Sequence, residues 1–184
     1  MKVGLLGGSF NPPHAGHRAA SLLALKRLGL DRVWWLVTPG NPLKDPHALP
    51  PLEERLVAAR KMASHPRIDV TGLEAEIGKR YSFDTLQWLK RRLPGVHFVW
   101  IMGADNLVNF QHWRNWRGIA ALVPIAVIDR PGASSTGPFV HRLAAHRLPE
   151  SGARRLPLVD PPAWVFLHGL KSPVSSTALR RAGG

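Results

Sequence analysis

Short apolar runs alternate with helical periodicity along the whole chain. Lys2–Leu6 is a strand-sized apolar stretch. Behind it, the spacing from Ala15 to about Leu28 predicts an amphipathic helix that stops at Gly29, where a C′ glycine belongs. Val33–Thr38 is continuously apolar and rich in Val and Trp, the pattern of a strand buried on both faces. Leu52–Ser64 returns to helical spacing, with Leu56, Ala59 and Ala63 on the core side. Ile68–Val70 predicts a short strand. Tyr81–Leu93 predicts a helix with Ser82 as N-cap and Leu86, Leu89 and Leu93 inward. Val96–Met102 and Pro124–Asp129 predict two more strands, Phe139–Leu148 a helix, and Trp164–Leu167 a last strand. Pro39–Pro51 and Pro149–Pro162 are too rich in proline for regular elements and read as loops. Alternation of strand and helix predicts an α/β fold, a Rossmann-like doubly wound parallel sheet with helices on both faces.

Length and charge narrow the partners more than the architecture. A chain of 184 residues is expected to form a single domain, residues 1–184. It has no cysteine, which excludes disulfides and thiol chemistry and suits a reducing cytoplasm. No apolar run reaches the length of a membrane span, and no secretory signal is evident in the first ten residues, so a soluble cytoplasmic protein is expected. Against 12 Asp+Glu stand 25 Lys+Arg, a formal charge of +13 that draws in anionic partners. The basic residues are dispersed, as in Lys90-Arg91-Arg92, Arg154-Arg155 and Arg180-Arg181, and compose no recognisable nucleic-acid module. Polyphosphate substrates and a merely solvated basic surface explain the sign equally well.

The candidate chemistry gathers at the end of the first strand, in GGSFNPPHAGH, Gly7 to His17. Strand, tight glycine turn and helix start form the place where an α/β protein holds an anion. Gly7 and Gly8 let phosphate oxygens approach the backbone, Ser9 adds a hydroxyl, and Pro12 and Pro13 stiffen the loop. His14 and His17, three apart at the helix entrance, can face one ligand. Neither GxGxxG nor the Walker pattern GxxxxGK[ST] is present, which argues against a dehydrogenase or a P-loop kinase. With no HExxH, no cysteine and no obvious third ligand, no protein metal site is expected. Lys44 is the only Lys or Arg of the Pro39–Pro51 loop, a candidate for a substrate phosphate, though an exposed loop lysine reads equally well. Thr85 is expected in an exposed first helical turn, whose free N–H groups suit an anion. Gly103 and Asp105, just past a strand, suit a ribose, and Asp105 reads also as a helix N-cap. Trp113 and Trp116, three apart, are expected to share a helix face. Near the C-terminus Ser175 or Ser176 would cap a short helix, making a second anion cradle with Arg180 one turn in.

GGSFNPPHAGH resembles the N-terminal signature of the HxGH nucleotidyltransferase superfamily, and VSSTALR (Val174–Arg180) resembles its second signature, ISSTxIR. With MGADN (Met102–Asn106) between them, the motifs are similar to those of the bacterial nicotinate-nucleotide adenylyltransferases. Departures are mild: Asn11 stands where Asp is common, and Leu179 replaces Ile. The resemblance implies adenylyl transfer from ATP to nicotinate mononucleotide, giving the deamido dinucleotide and pyrophosphate, a step of NAD biosynthesis. It implies catalytic roles for His14, His17, Lys44 and Arg180. ATP would be bound by Gly7, Gly8, Ser9, Phe10, His17, Gly103, Asp105, Ser175, Ser176, Thr177 and Arg180. Nicotinate mononucleotide would be met by Asn41, Lys44, Thr85 and Trp116, the last against the pyridine ring. Mg²⁺ would enter bound to ATP through phosphates and waters. The alternatives are a sister enzyme using nicotinamide mononucleotide or phosphopantetheine, and a basic nucleic-acid-binding protein. Oligomeric state stays open, a homo-oligomer being one option.

Overall fold

A computed structural model describes residues 1–40, 49–130 and 138–169. Strand β1 (Lys2–Gly8) leads into α1 (Ala15–Leu28) and back to β2 (Arg32–Val37). Helix α2 (Leu52–Ala63) and β3 (Ile68–Thr71) complete the first half. A single turn, α3 (Leu73–Glu76), and α4 (Ser82–Arg92) then lead to β4 (His97–Gly103). Two short 3-10 turns, Ala104–Asn106 and Phe110–His112, precede α5 (Trp116–Leu122) and β5 (Ile125–Ile128). Beyond α6 (Pro138–Arg142) lie β6 (Arg147–Leu148), a 3-10 segment over Glu150–Leu158, and β7 (Trp164–Leu167). All strand pairs are parallel, in the order β3-β2-β1-β4-β5-β7-β6. This is the doubly wound sheet that the alternating pattern predicts.

Two separate cores follow from side chains alternating across the strands. On one face Val33, Trp35 and Val37 pack with Ala24 and Leu28 of α1, Leu56 and Ala59 of α2, and Leu156 of the 3-10 segment. On the other, Leu5, Leu36 and Trp100 pack with Leu86 and Leu89 of α4, Ile119 of α5 and Phe139 of α6. Leu56, Ala59 and Ala63 are buried as their spacing requires, and Gly29 adopts the left-handed conformation (φ 62°, ψ 40°) that closes α1.

Three local expectations need correction. Helix α4 begins at Ser82 with Tyr81 as its N-cap, so Ser82 is inside the helix and caps nothing. The stretch Phe139–Leu148 is not one helix, because Arg147 and Leu148 leave it to pair with Trp164 and Val165 as a short edge strand. Trp164 Nε1 reinforces this by donating to the Leu143 carbonyl at 2.7 Å. The Pro149–Pro162 stretch is not irregular throughout either. Its 3-10 segment buries Ala153, Leu156 and Pro157, and Glu150 anchors it to Arg27 (2.5 Å) and to His168 (2.8 Å). Among the described residues no helix is long and apolar enough to cross a membrane.

Because β1 has neighbours on both sides, its side chains must leave room for those of β4. A Cβ on Gly7 would stand 2.7 Å from Cη2 of Trp100, a fully buried ring already wedged edge-on against Trp113. Gly7→Ala is therefore expected to destabilise the fold by about 1–3 kcal/mol, the usual cost of overpacking, as measured by denaturant unfolding.

Candidate active site

Open parallel sheets bind ligands beyond the carboxyl ends of their strands, at the point where the strand order reverses. Here that point lies between β1 and β4, since β2 and β3 extend to one side and β4 and β5 to the other. The glycine loop leaves β1 at this crevice. Phe10 turns it with φ 47°, a costly left-handed conformation for a bulky side chain, and is held there by burial and by stacking on Trp35 at 4.9 Å. The Asn11–Pro12 peptide is cis.

His14 and His17 close the start of α1 through each other. Gly16 N–H donates to His14 Nδ1 at 3.1 Å, and His14 N–H donates to His17 Nδ1 at 3.2 Å. This is a capping box built from two imidazoles, where serine and glutamate are the usual pair. With both Nδ1 atoms accepting, the neutral rings carry their protons on Nε2, leaving two N–H donors free of the helix. The ring centroids lie 3.8 Å apart, and Phe10 packs against His17 at 4.7 Å. Behind them, Ser21 Oγ donates to the His17 carbonyl at 2.8 Å and accepts from Trp35 Nε1 at 2.8 Å.

The electrostatics favour neutral rings. Burial, with the positive charge of Arg130, pushes His14 down to about 4 despite the opposing influence of Asp105. Burial, then His14 and Arg130, pushes His17 down to about 3. No acidic residue occupies the first turn of α1, so nothing within that turn offsets the positive end of its dipole. Asp105 and Arg130 reach this space from the ends of β4 and β5 and pair at 3.6 Å. Asp105 sits inside the 3-10 turn after β4 and caps no helix. A Cβ on Gly103 would collide with the Asp105 carboxylate, so glycine is what lets that side chain fold back.

A second group of candidates lies on the α4–α5 side. Thr85 is not in an exposed first turn, as expected from sequence, but is fully buried one residue deeper. Its N–H is bonded to the Tyr81 carbonyl, and its hydroxyl contacts Glu74 Oε1 at 3.1 Å. Burial pushes the Glu74 carboxyl up, against the opposing hydrogen bonds of the Thr85 and Thr38 hydroxyls. The open first turn therefore belongs to Ser82, Phe83 and Asp84, which carry no side-chain cap. Phe83 packs against Gly118, bringing the starts of α4 and α5 together. Trp116 is the first residue of α5, whereas Trp113 precedes the helix in extended conformation, so the two do not share a helix face. Both instead meet Phe110 edge-on, and Trp116 borders a shallow cleft of about 370 Å³ with Arg117 and Arg142.

The structure thus brings Gly7, Gly8, Ser9, Phe10, His14, His17, Gly103 and Asp105 to one crevice, with Thr85 and Trp116 on the neighbouring helix starts. Asn41, Lys44, Ser175, Ser176, Thr177 and Arg180 lie outside the described residues. Sequence reading passed over Arg55, Glu74 and Arg130. Arg55 had a legible signal, because it lies four residues before Ala59 and eight before Ala63 on the buried row of α2.

A doubly wound sheet with a glycine loop and a histidine-capped helix at its reversal point defines the class of α/β protein that holds its ligand beyond the strand ends. Residues 5–182 match the cytidylyltransferase-like family, to which the chain belongs, among relatives named as nicotinate-nucleotide adenylyltransferases. A "Probable nicotinate-nucleotide adenylyltransferase" of Bradyrhizobium sp. is 58% identical over 187 residues, covering 100% of this chain and 97% of the relative. One of the same name from Methylorubrum extorquens is 58% identical over 183 residues, covering 98% and 99%. The fold is shared with Plasmodium falciparum nicotinic acid mononucleotide adenylyltransferase complexed with NaAD, at a TM-score of 0.76 and 15% identity over 98% of this chain and 82% of that one.

The two histidines give stability a pH dependence of definite sign. Both have folded pKa values, about 4 and about 3, below the ordinary 6.5, so between these limits the unfolded chain binds more protons than the native one. Their contribution is full above pH 6.5 and is lost as pH falls through the folded values. Unfolding free energy is expected to drop from pH 7 to pH 5, and the double variant His14→Gln/His17→Gln to lose a proton uptake on unfolding that rises to about two near pH 5, as read from denaturant unfolding at each pH.

Proposed function

We infer that this chain joins ATP to nicotinate mononucleotide, forming the deamido dinucleotide of NAD biosynthesis and releasing pyrophosphate. The observation that carries the reading is the pair of Nε2 donors at the strand-order reversal, in a chain of the family just described. A phosphate oxygen of the mononucleotide attacks the α-phosphorus of ATP. One P–O bond forms there, the bond to the β,γ-pyrophosphate breaks, and no proton has to move, because the nucleophile arrives ionised. The work left to the protein is alignment of two polyanions and compensation of charge at the α-phosphate.

Each candidate has a place in that work. His14 and His17 donate from Nε2 to the phosphate chain and to the developing charge. The loop Gly7–Phe10 receives the triphosphate, and Gly103 and Asp105 receive the ribose, with Asp105 accepting from its hydroxyls. Ser175, Ser176, Thr177 and Arg180 are assigned to the leaving phosphates, and Asn41 and Lys44 to the acceptor. The open turn Ser82–Asp84, braced from beneath by Thr85, meets the pyridine carboxylate with backbone N–H groups, and Trp116 meets the ring. Mg²⁺ enters as part of the substrate, bound by the phosphates of ATP.

Two measurements test this. Pyrophosphate release is expected to be fastest with nicotinate mononucleotide in a panel that includes nicotinamide mononucleotide and phosphopantetheine; equal or better turnover with phosphopantetheine would overturn the choice of acceptor. His17→Ala is expected to lower kcat by two to three powers of ten, roughly 3–4 kcal/mol, with circular dichroism unchanged. A loss below about threefold would remove His17 from the transition state.

A further inference from the structure

Arg55 breaks the ordinary rules for a helix cation. It lies near the amino end of α2, where the macrodipole disfavours positive charge, and only 3% of its surface is exposed. Among the described residues no carboxylate pairs with it. Four backbone carbonyls surround it instead. Nε donates to Pro50 at 2.9 Å, and Nη2 to Pro39 at 3.2 Å. Nη1 donates to Ser9 at 2.9 Å and to Thr38 at 2.8 Å. Burial accordingly lowers its pKa.

These carbonyls belong to segments of separate origin. Ser9 is in the phosphate loop after β1. Thr38 and Pro39 begin the connection after β2, and Pro50 stands near its other end. Carbonyls at the sheet's open edge could be hydrated at lower cost than by desolvating a guanidinium. What water does not supply is a rigid link, and one nitrogen shared between Ser9 and Thr38 does.

We propose that Arg55 is a positioning residue for adenylyl transfer, its guanidinium locking the phosphate loop after β1 and the root of the connection after β2 into one relative placement. This rests on the functional reading above, in which those segments serve ATP and the acceptor respectively. The planar fork is essential to the role, because lysine carries its donors on one atom and cannot span four carbonyls. Loosening the link leaves each substrate's own contacts in place but blurs their alignment, and misplacement by about 1 Å costs of the order of a hundredfold in rate.

The test compares the wild-type chain with Arg55→Lys and Arg55→Met. Expected for Arg55→Lys is a kcat lower by about 30- to 100-fold, with ATP affinity and the acceptor KM within about threefold of wild type. The amides of Ser9, Phe10 and Thr38, the last bonded to the Gly8 carbonyl at 3.0 Å, are expected to exchange faster in both variants while those of β4 do not. A kcat within about threefold of wild type overturns the proposal, as does unchanged exchange at these amides. So does a kcat loss matched by an equal loss of ATP affinity, since that marks a merely structural role. Should wild type release no pyrophosphate from ATP and nicotinate mononucleotide, the functional reading falls, and exchange alone still decides whether Arg55 holds the two segments together.

Discussion

Parallel pairing on both edges of β1 is the constraint from which the site follows. The chain lays β2 and β3 on one side of β1, then returns to lay β4 and β5 on the other. Helices α1 and α4, reached from opposite directions, must therefore lie on opposite faces, with the carboxyl ends of β1 and β4 between them. Gly7 and Gly8 end β1 at that gap, and Gly103 ends β4 beside it. The absence of a side chain at Gly7 is a packing requirement set by Trp100.

The crevice holds the Asp105–Arg130 ion pair beside two imidazoles. Its two histidines are neutral because burial and Arg130 disfavour their protonation. As neutral rings fixed through Nδ1 they present Nε2–H donors that need no rotation or titration. The mutual capping of α1 sets their tautomer, and the first turn of α1 carries no acidic residue to offset its dipole. A chain carrying +13 attracts anions in general through its long-range field.

Polar groups below the surface hold this arrangement in shape. Thr38 is the common point: its carbonyl accepts from Arg55, and its hydroxyl donates to the Gly40 carbonyl at 3.0 Å and also meets Glu74. Glu74 in turn meets Thr85 within α4. The exit of β2 is thus tied to the glycine loop after β1 on one side and to the start of α4 on the other. Buried polar networks of this kind are costly if any member is lost, which restricts the substitutions they tolerate.

Much of this was readable before any coordinates. Periodicity alone located the six longer strands and the helices of the first half, since a 3.6-residue or continuous apolar pattern reports which face must be buried. The histidine motif and the glycines were legible as chemistry because their spacing requires a strand, a tight turn and a helix start. Other features depended on contacts between distant segments. The two-residue strand Arg147–Leu148 has too few residues to carry a pattern and exists only because Trp164 and Val165 offer it an edge. Thr85 sits inward because Glu74, eleven residues earlier, needs its hydroxyl. Arg55 falls on the buried row of α2 by its spacing, but only the fold shows that Ser9, Thr38, Pro39 and Pro50 converge on it. Local sequence determines elements through backbone preference and burial periodicity; only the tertiary fold decides which buried polar groups find partners, because those partners come from elsewhere in the chain.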